Sequence, residues 1–241
     1  MDRDSLSVEI TPLGDSALLA RFASGRLPDE VDQVAKVSAA AAAVAAARIP
    51  GVVDVAPAYE SIAVFFEPRL VLQSGDPANG TVALREQITS AIGTAAGSPG
   101  RAGRTMEVQV CYDAHFADDL DAVAQHTGLA PEDVIRRHSA AEYRVACIGF
   151  VPGFPFLIGL PPELATPRRA TPRTRVPAGS VAIGGTQTGI YPRDSPGGWN
   201  IIGRTPLQLF DVHRVSPSLL ATGDVVRFRT ISREEFDALA R

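Results

Sequence analysis

The chain has 241 residues and a formal charge of −4 at pH 7, and 45% of its residues are hydrophobic. This composition is that of a globular protein, and the length allows one large domain or two smaller ones. The acidic balance argues against a general nucleic-acid binder, and no apolar run approaches the roughly 20 residues that a membrane span requires.

The first hundred residues predict a small α+β domain. Residues 7–22 indicate two strands around a Pro-Leu-Gly-Asp turn. The alanine-rich segment 30–47 predicts a helix, because alanine has the highest intrinsic helix propensity. The β-branched and aromatic residues of 52–66 predict a hairpin, and a second helix is expected around 82–92. This order favours an antiparallel sheet with helices on one face, which we assign to residues 1–98.

A linker and a second domain are predicted next. Residues 93–104 are rich in Gly, Ala and Ser and show no hydrophobic period, as is typical of a linker. The second domain, residues 105–241, opens with a strand, two helices that have acidic first turns, and a buried strand. These four elements are expected within residues 105–112, 117–128, 130–140 and 142–150.

The middle of the second domain is rich in proline and glycine. Residues 149–206 contain 10 Pro and 10 Gly among 58 residues, a share often associated with disorder. Two apolar strands, expected in 180–185 and 199–204, interrupt this run together with aromatic residues in which disordered segments are poor. With a final strand in 222–232, the short strands and elaborate loops predict a β-barrel. The aromatic residues are Phe150, Phe154, Phe156, Tyr191 and Trp199, the only tryptophan of the chain.

Arginine carries almost all of the positive charge. Lys36 is the only lysine among 23 basic residues, so any bound anion must be held by arginine or by backbone N–H groups. Residues 149–206 have six arginines and two acids, a local charge of +4. Prolines stiffen the segment TPRRATPRTRVPAGS, and preorganised guanidinium groups suit carboxylate or phosphate. An anion site, a partner-protein surface and a solvated loop are the three interpretations of this pattern.

The histidines and cysteines indicate no metal chemistry. His138 lies on the apolar face of its predicted helix, either as a hydrogen-bonded core residue or as a group that transfers protons or orients substrate. The other histidines show no metal-ligand spacing, so we expect no metal. Cys147 lies within a strand, where a packed thiol is expected. Cys111 is the only other cysteine, and the acidic N-terminus is unlike a signal peptide, so we expect a cytoplasmic protein.

The loops of the second domain carry a family resemblance. It rests on YRVACIGFVPGFPFLIGLPPELATPRRATPRTRVPAGSVAIGGTQTGIYPRDSPGGWNIIGRTP, residues 143–206. The segments LGDSALLARF, VVDVAPAYESIAVFF and VCYDAHFADDLDAVAQHTGLAPEDVIRRHSAAEYRV extend it over nearly the whole chain. The sequence resembles the B subunit of bacterial ATP-dependent 5-oxoprolinase, whose family is also called allophanate hydrolase subunit 1 and includes kinase inhibitors of the KipI type.

The resemblance implies a cyclophilin-like, carboxyltransferase-type barrel for the second domain. It also implies that the chain is inactive alone and works as one component of an enzyme, together with a second barrel-containing subunit. This partner is of the type of the 5-oxoprolinase C subunit or of allophanate hydrolase subunit 2. The complex is expected to use ATP to activate the lactam 5-oxo-L-proline. A ring-opening component, the A subunit, then completes the hydrolysis to L-glutamate.

The resemblance also implies site residues. His138 and Tyr143 are the implied catalytic residues. Trp199 is expected to be a pocket floor or an anchor for the partner, with a core tryptophan as the alternative. The implied substrate-binding or anion-binding residues are Phe150, Pro152, Gly153, Phe154, Arg168, Arg173, Arg175, Gly179, Ser180, Gln187, Tyr191, Gly197, Gly198 and Trp199.

Two departures from the family pattern bear on substrate choice. Phe156 stands where the family usually has tyrosine, and Thr186 stands where arginine is common. The alternative functions are a histidine-kinase inhibitor and a component of an allophanate-type or urea-type amidohydrolase. A prolyl isomerase is disfavoured, because the chain has no Phe-His-Arg cluster and fold alone does not imply function.

Overall fold

The chain divides into two compact units, Met1–Ala102 and Gly103–Arg241. The predicted domain boundary at residue 98 and residues 96–102 of the predicted linker lie outside the described residues, as does the N-terminus up to residue 7. No helix in the described part is both long and apolar enough to cross a membrane. The structure, a computed structural model, describes residues 8–23, 30–71, 77–95 and 103–240.

The first unit contains a four-stranded antiparallel sheet and three helices. The strands are β1 (Val8–Pro12), β2 (Ala17–Phe22), β3 (Val52–Ala58) and β4 (Ser61–Phe66). The helices are α1 (Glu30–Ala46), α2 (Pro68–Val71) and α3 (Pro77–Ala95). The strand order is β1-β2-β4-β3. The predicted strands, the antiparallel sheet and the two predicted helices are confirmed, and the short helix α2 is an addition.

One face of this sheet forms the core of the first unit. Leu18, Ala20 and Phe22 alternate along β2 and are all buried, because successive side chains of a strand point to opposite faces. They belong to one apolar cluster with Val37 and Ala41, which are four residues apart on α1. Residues of α3 join the same cluster. Both long helices therefore cover the same face of the sheet, as predicted.

The described part of the second unit combines short strands with helices. Its helices are α4 (Leu120–Thr127), α5 (Pro131–Ala140) and α6 (Arg233–Leu239). The strands are β5 (Thr105–Val110), β6 (Glu142–Ile148), β7 (Pro155–Ile158), β8 (Arg173–Val176), β9 (Ser180–Gly184), β10 (Gln187–Ile190), β11 (Ser195–Gly197), β12 (Asn200–Arg204) and β13 (Val225–Thr230).

Seven of these strands form one curled sheet in the order β12-β9-β10-β7-β6-β13-β5. Strands β5 and β13 are parallel, and the other neighbours are antiparallel. The two edges meet at a single bridge, in which the Cys111 N–H donates to the Arg204 carbonyl (2.8 Å) and the Arg204 N–H donates to the Cys111 carbonyl (2.9 Å). Gly203 permits this approach, since a Cβ there would lie 2.9 Å from the Cys111 carbonyl oxygen.

The C-terminal helix was not expected from the sequence, where the last predicted element ended at residue 232. Ser232 caps α6 by accepting a hydrogen bond from the Glu235 N–H, and the Glu235 side chain accepts one from the Ser232 N–H. This reciprocal pair is a capping box, whose Ser-x-x-Glu spacing is visible in the sequence. The five strands and two helices predicted for the second unit are confirmed within one to three residues at most ends.

Candidate functional site

The loop between β6 and β7 places an aromatic ring at the surface. Phe150 is the central residue of a tight γ-turn, in which the Val151 N–H donates to the Gly149 carbonyl (2.8 Å). Its φ of 66° lies in the left-handed region, which is unfavourable for a bulky side chain. Phe150 is nevertheless 62% exposed. Strain combined with an exposed apolar ring marks Phe150 as a candidate ligand contact.

Below Phe150 lies a cluster of aromatic rings. The Phe154 ring meets Phe150, Tyr191 and Trp199 edge to face at centroid distances of 5.6, 5.1 and 5.6 Å. Trp199 is only 5% exposed. Its indole fits against Gly184, where a Cβ would lie 2.5 Å from the ring. The glycine at the end of β9 is therefore required for the position of the indole.

These rings line a cavity of about 370 Å³, which we call the aromatic pocket. Arg168 adds positive charge to the pocket. Its guanidinium carbon lies 5.6 Å from the centroid of the Trp199 indole, within the range of a cation–π contact. Tyr191 stays a neutral phenol, since burial raises its pKa, although a hydrogen bond from the Trp199 backbone and the charges of Arg168 and Arg173 oppose this shift. The lining consists of Phe150, Phe154, Phe156, Arg168, Arg169, Pro172, Tyr191, Pro196, Gly197, Gly198 and Trp199.

Behind the pocket, two arginines converge on one buried carboxylate. Asp119, at the start of α4, accepts a hydrogen bond from Arg169 Nη1 (2.6 Å) and two from Arg173, at 2.8 and 2.9 Å. The Asp119 side chain is 3% exposed. The hydrogen bonds to Asp119 are the main reason that the pKa of Arg173 is raised. Both arginines belong to residues 167–173, which we call the arginine loop.

The two predicted catalytic residues lie elsewhere, in the core of the second unit. His138 is fully buried, with Nδ1 2.8 Å from the Tyr112 hydroxyl and Nε2 3.0 Å from Thr188 Oγ1. Burial lowers the pKa of His138 to about 3, so the imidazole is neutral. The Tyr143 hydroxyl donates to the His138 carbonyl (2.8 Å), and burial raises the pKa of this phenol. Neither side chain lines the aromatic pocket.

Several of the predicted binding residues support the pocket without lining it. The Gly179 N–H donates to the Tyr191 carbonyl (2.7 Å), and the Tyr191 N–H donates to the carbonyl of Ser180 (2.9 Å). Gly153, with a φ of 81°, packs against Phe210, where a Cβ would meet the phenylalanine at 2.7 Å. These contacts fix the backbone on both sides of the aromatic cluster.

Three further predicted residues lie away from the cavity. Arg175 forms an exposed ion pair with Asp194 (2.6 Å), so its charge is already compensated. Pro152 is exposed at the tip of the β6–β7 loop. Gln187 opens β10 opposite Gly184. The structure thus assembles Phe150, Phe154, Arg168, Tyr191, Gly197, Gly198 and Trp199 around one cavity, and it places the other predicted residues outside the lining.

Several residues of the site were not predicted from the sequence. Pro172 and Pro196 belong to the motifs that carry the family resemblance, but nothing in their spacing separates lining residues from neighbours. Phe156, which the sequence already linked to substrate choice, does line the pocket. Arg169 is one of six arginines in its segment, and nothing in the sequence separates it from the other five. Asp119 is predicted only as part of an acidic helix start. Their partnership joins residues 50 positions apart, and only the tertiary fold brings them together.

The pocket has the chemistry of a binding site for an anion that carries a flat apolar body. Aromatic rings offer faces for packing, and Arg168 and Arg169 offer hydrogen-bond donors and positive charge. Its lining contains no His, Cys, Lys, Asp or Glu among the described residues, so it offers no side-chain nucleophile or base of ordinary pKa. No group of His, Cys, Asp and Glu in the described part of the chain is arranged to hold a metal ion.

Comparison with known proteins agrees with this architecture. The 5-oxoprolinase B subunit of Bacillus subtilis (strain 168) is 38% identical over 232 residues, 95% of each chain. That of Escherichia coli O157:H7 is 54% identical over 125 residues, 52% of this chain and 57% of the relative. The crystal structure of the K. lactis urea amidolyase, 18% identical, shares the fold with a TM-score of 0.71 over 99% of this chain and 16% of its own. The resemblance to the B subunit of 5-oxoprolinase is thereby confirmed, and because residues 8–220 match the family described as Carboxyltransferase domain, subdomain C and D, the chain belongs to that family.

Proposed function

We propose that this chain is a non-autonomous subunit of an ATP-dependent 5-oxoprolinase, which converts 5-oxo-L-proline to L-glutamate. The observation that carries the proposal is the aromatic pocket, in which Arg168 lies over the Trp199 indole. No acidic side chain is among the described residues that line this pocket. Relatives named as the B subunit of 5-oxoprolinase support the same substrate.

The chemistry of 5-oxoproline matches the pocket. The molecule is a nearly flat five-membered lactam that carries one carboxylate. We place its ring against the exposed ring of Phe150, with the largely buried Trp199 as the pocket floor, and we pair its carboxylate with the guanidinium of Arg168. Since the pocket offers no nucleophile, this chain binds and orients the lactam while the chemical steps use groups from other subunits.

We assign the use of ATP to the complex. Lys36 is the only lysine and no phosphate-binding glycine-lysine loop occurs in the sequence. The proposed partners are a second barrel-containing protein, of the type of the 5-oxoprolinase C subunit or of allophanate hydrolase subunit 2, and the ring-opening A subunit. Together they activate the lactam with ATP and open the ring. We also propose that the second unit is a cyclophilin-like barrel and that the protein acts in the cytoplasm.

Reconstitution tests the proposal. The chain, co-purified with the two partner subunits, is expected to hydrolyse ATP when 5-oxoproline is added, and the purified chain alone is expected to be inactive. 2-Pyrrolidinone, which has the ring but not the carboxylate, is the control and should not stimulate ATP hydrolysis. Turnover by the single chain contradicts the non-autonomous role. If allophanate or urea stimulates ATP hydrolysis and 5-oxoproline does not, the chain belongs to an allophanate-type or urea-type amidohydrolase. If the chain inhibits a histidine kinase and the complex shows no lactam-dependent turnover, the kinase-inhibitor alternative is supported.

A further inference from the structure

Asp119 occupies the N-cap position of α4 but does not cap the helix. An aspartate at this position ordinarily accepts a hydrogen bond from a backbone N–H of the first helical turn. Here the side chain makes no such bond. Its carboxylate accepts four hydrogen bonds from other parts of the fold instead, from Arg169, from both Nη atoms of Arg173, and from the Ile201 N–H (2.8 Å).

These four hydrogen bonds join the start of α4 to the arginine loop and to β12. Arg169 and Arg173 belong to the arginine loop, and Ile201 lies in β12, two residues after Trp199. The Asp119 N–H also donates to the Ile201 carbonyl (2.8 Å), and the Arg169 N–H donates to the Gly198 carbonyl (2.7 Å). One buried side chain therefore holds the loop that carries Arg168 against the strand that follows Trp199.

The three arginines near Asp119 differ in how far their charge is compensated by a carboxylate. Arg173 makes a two-pronged contact and is 22% exposed, so its guanidinium is committed to the carboxylate. Arg169 makes one contact and is 37% exposed. Arg168 has no ion pair among the described residues and lies over the indole. The arrangement leaves Arg168 as the cation that is available to a ligand, with Arg169 as a second, partly used donor.

We propose that Asp119 is a positioning residue of the aromatic pocket: by binding Arg169 and Arg173 it holds the arginine loop on β12, so that Arg168 presents its charge over Trp199 to the carboxylate of the ligand. The proposal rests on the proposed function only for the identity of that ligand. Asp119 itself does not line the cavity and acts through the two arginines that it binds.

The fluorescence of Trp199 reports on the position of the arginine loop in the full chain without any partner, because Trp199 is the only tryptophan. Asp119→Asn keeps the shape of the side chain but removes its charge. We expect at least a twofold rise in the acrylamide quenching constant of Trp199, since release of the arginine loop uncovers the indole. Asp118→Asn is the matched control: Asp118 is 54% exposed and lies 3.7 Å from Arg173 Nη2, and its loss should leave the quenching constant unchanged.

The second measurement is the kinetics of the reconstituted complex with 5-oxoproline. Asp119→Asn is expected to raise KM about tenfold and to change kcat less than threefold, because carboxylate binding is lost while the chemical groups of the other subunits are kept. Asp119→Glu, which keeps the negative charge, should have a KM between those of the wild type and Asp119→Asn. A residue that only stabilised the fold would lower the melting temperature without this separation of KM from kcat.

The two measurements separate the failure of this inference from that of the proposed function. If Asp119→Asn folds but leaves the quenching constant at the wild-type value, or leaves KM unchanged in an active complex, the positioning role is wrong. If the wild-type complex does not hydrolyse 5-oxoproline, the proposed function fails, and the quenching experiment alone decides on Asp119. Should Asp119→Asn not fold, Arg173→Lys replaces it with the same expectations, because lysine cannot make the two-pronged contact.

Discussion

The guanidinium carbon of Arg168 lies 5.6 Å from the centroid of the Trp199 indole. A cation over the face of a tryptophan is attracted by the negative electrostatic potential of the ring, which fixes the position of the charge. A carboxylate that enters the aromatic pocket therefore meets a guanidinium that is already placed. This preorganisation gives Arg168 a role that another basic side chain cannot fill.

Arg168→Lys is expected to raise the KM for 5-oxoproline in the reconstituted complex about tenfold, the equivalent of about 1.4 kcal/mol of binding free energy. Lysine keeps the charge but loses the planar donor pair and the stacking on the indole. Arg193→Lys is the control, because Arg193 is exposed and lies outside the pocket lining. Equal KM values for the two variants and the wild type contradict the assignment of Arg168 to the ligand.

Replacement of Trp199 distinguishes a core residue from an anchor for the partner. Trp199→Ala is expected to lower the free energy of unfolding by about 3–5 kcal/mol, because the indole is buried within an aromatic cluster. Urea titration followed by circular dichroism measures this loss, since the variant has no tryptophan emission. Trp199→Phe, which keeps one ring, should lose less. Normal stability together with weaker partner binding, by about 2 kcal/mol or more, favours the anchor instead.

Substitution of Phe150 tests whether the backbone of the β6–β7 loop is strained in order to place this ring at the pocket. Phe150→Gly and Phe150→Ala both remove the exposed ring, but only glycine relieves the strain of the positive φ. We expect the glycine variant to be more stable than the alanine variant by about 1–2 kcal/mol, and both to lose substrate affinity. Chemical denaturation and steady-state kinetics measure the two effects. Equal stability of the two variants shows that the turn is not strained.

The buried His138 predicts a pH dependence of stability. Its pKa is about 3 in the folded chain and about 6.5 when unfolded, so above pH 6.5 both states are neutral and the free energy of unfolding does not depend on this group. Below pH 6.5 only the unfolded state binds the proton, and stability falls as the pH decreases towards 3. The expected loss at pH 5 is about 2 kcal/mol.

Urea titrations between pH 7 and pH 5 measure this loss, since the carboxylates with lowered pKa values, such as those of Asp133 and Glu163, protonate in a more acidic range. His138→Gln should be less stable at pH 7 but should lose the dependence on pH between 6.5 and 5. His126→Gln, a change on an exposed position of α4, is the control and should keep it. A wild-type stability that stays constant over this range is incompatible with a buried neutral imidazole.

The sequence predicts the local elements well, because their signals are local. The alternation of Leu18, Ala20 and Phe22 specifies one buried strand face, and the alanine run specifies α1. Residues of the pocket such as Trp199 and Arg168 could also be nominated, since they belong to motifs in which proline and glycine restrict the backbone. That these motifs surround one cavity is a property of the fold.

Contacts between distant residues could not be predicted. Asp119 at a helix start has the sequence pattern of an ordinary cap, yet its partners Arg169 and Arg173 are 50 and 54 residues away. His138 left two interpretations open, because its position on an apolar helix face fits a core residue and a functional one equally. The contacts with Tyr112 and Thr188 favour the core, and a catalytic role of His138 stays a prediction.

The parallel ladder between β5 and β13 governs the order in which the second unit can form. Strand β5, residues 105–110, finds its neighbour in the sheet only in residues 225–230, close to the end of the chain. During synthesis the first strand of this unit must therefore wait, unpaired, until almost all of the unit has been made. Contacts between such distant residues slow folding and leave an unpaired strand edge and apolar side chains open to other molecules in the meantime. A chain that stops before β13 deprives β5 of its neighbour and removes Val226 and Phe228 from the core cluster of Val108 and Val110, so the second unit should be highly sensitive to C-terminal truncation.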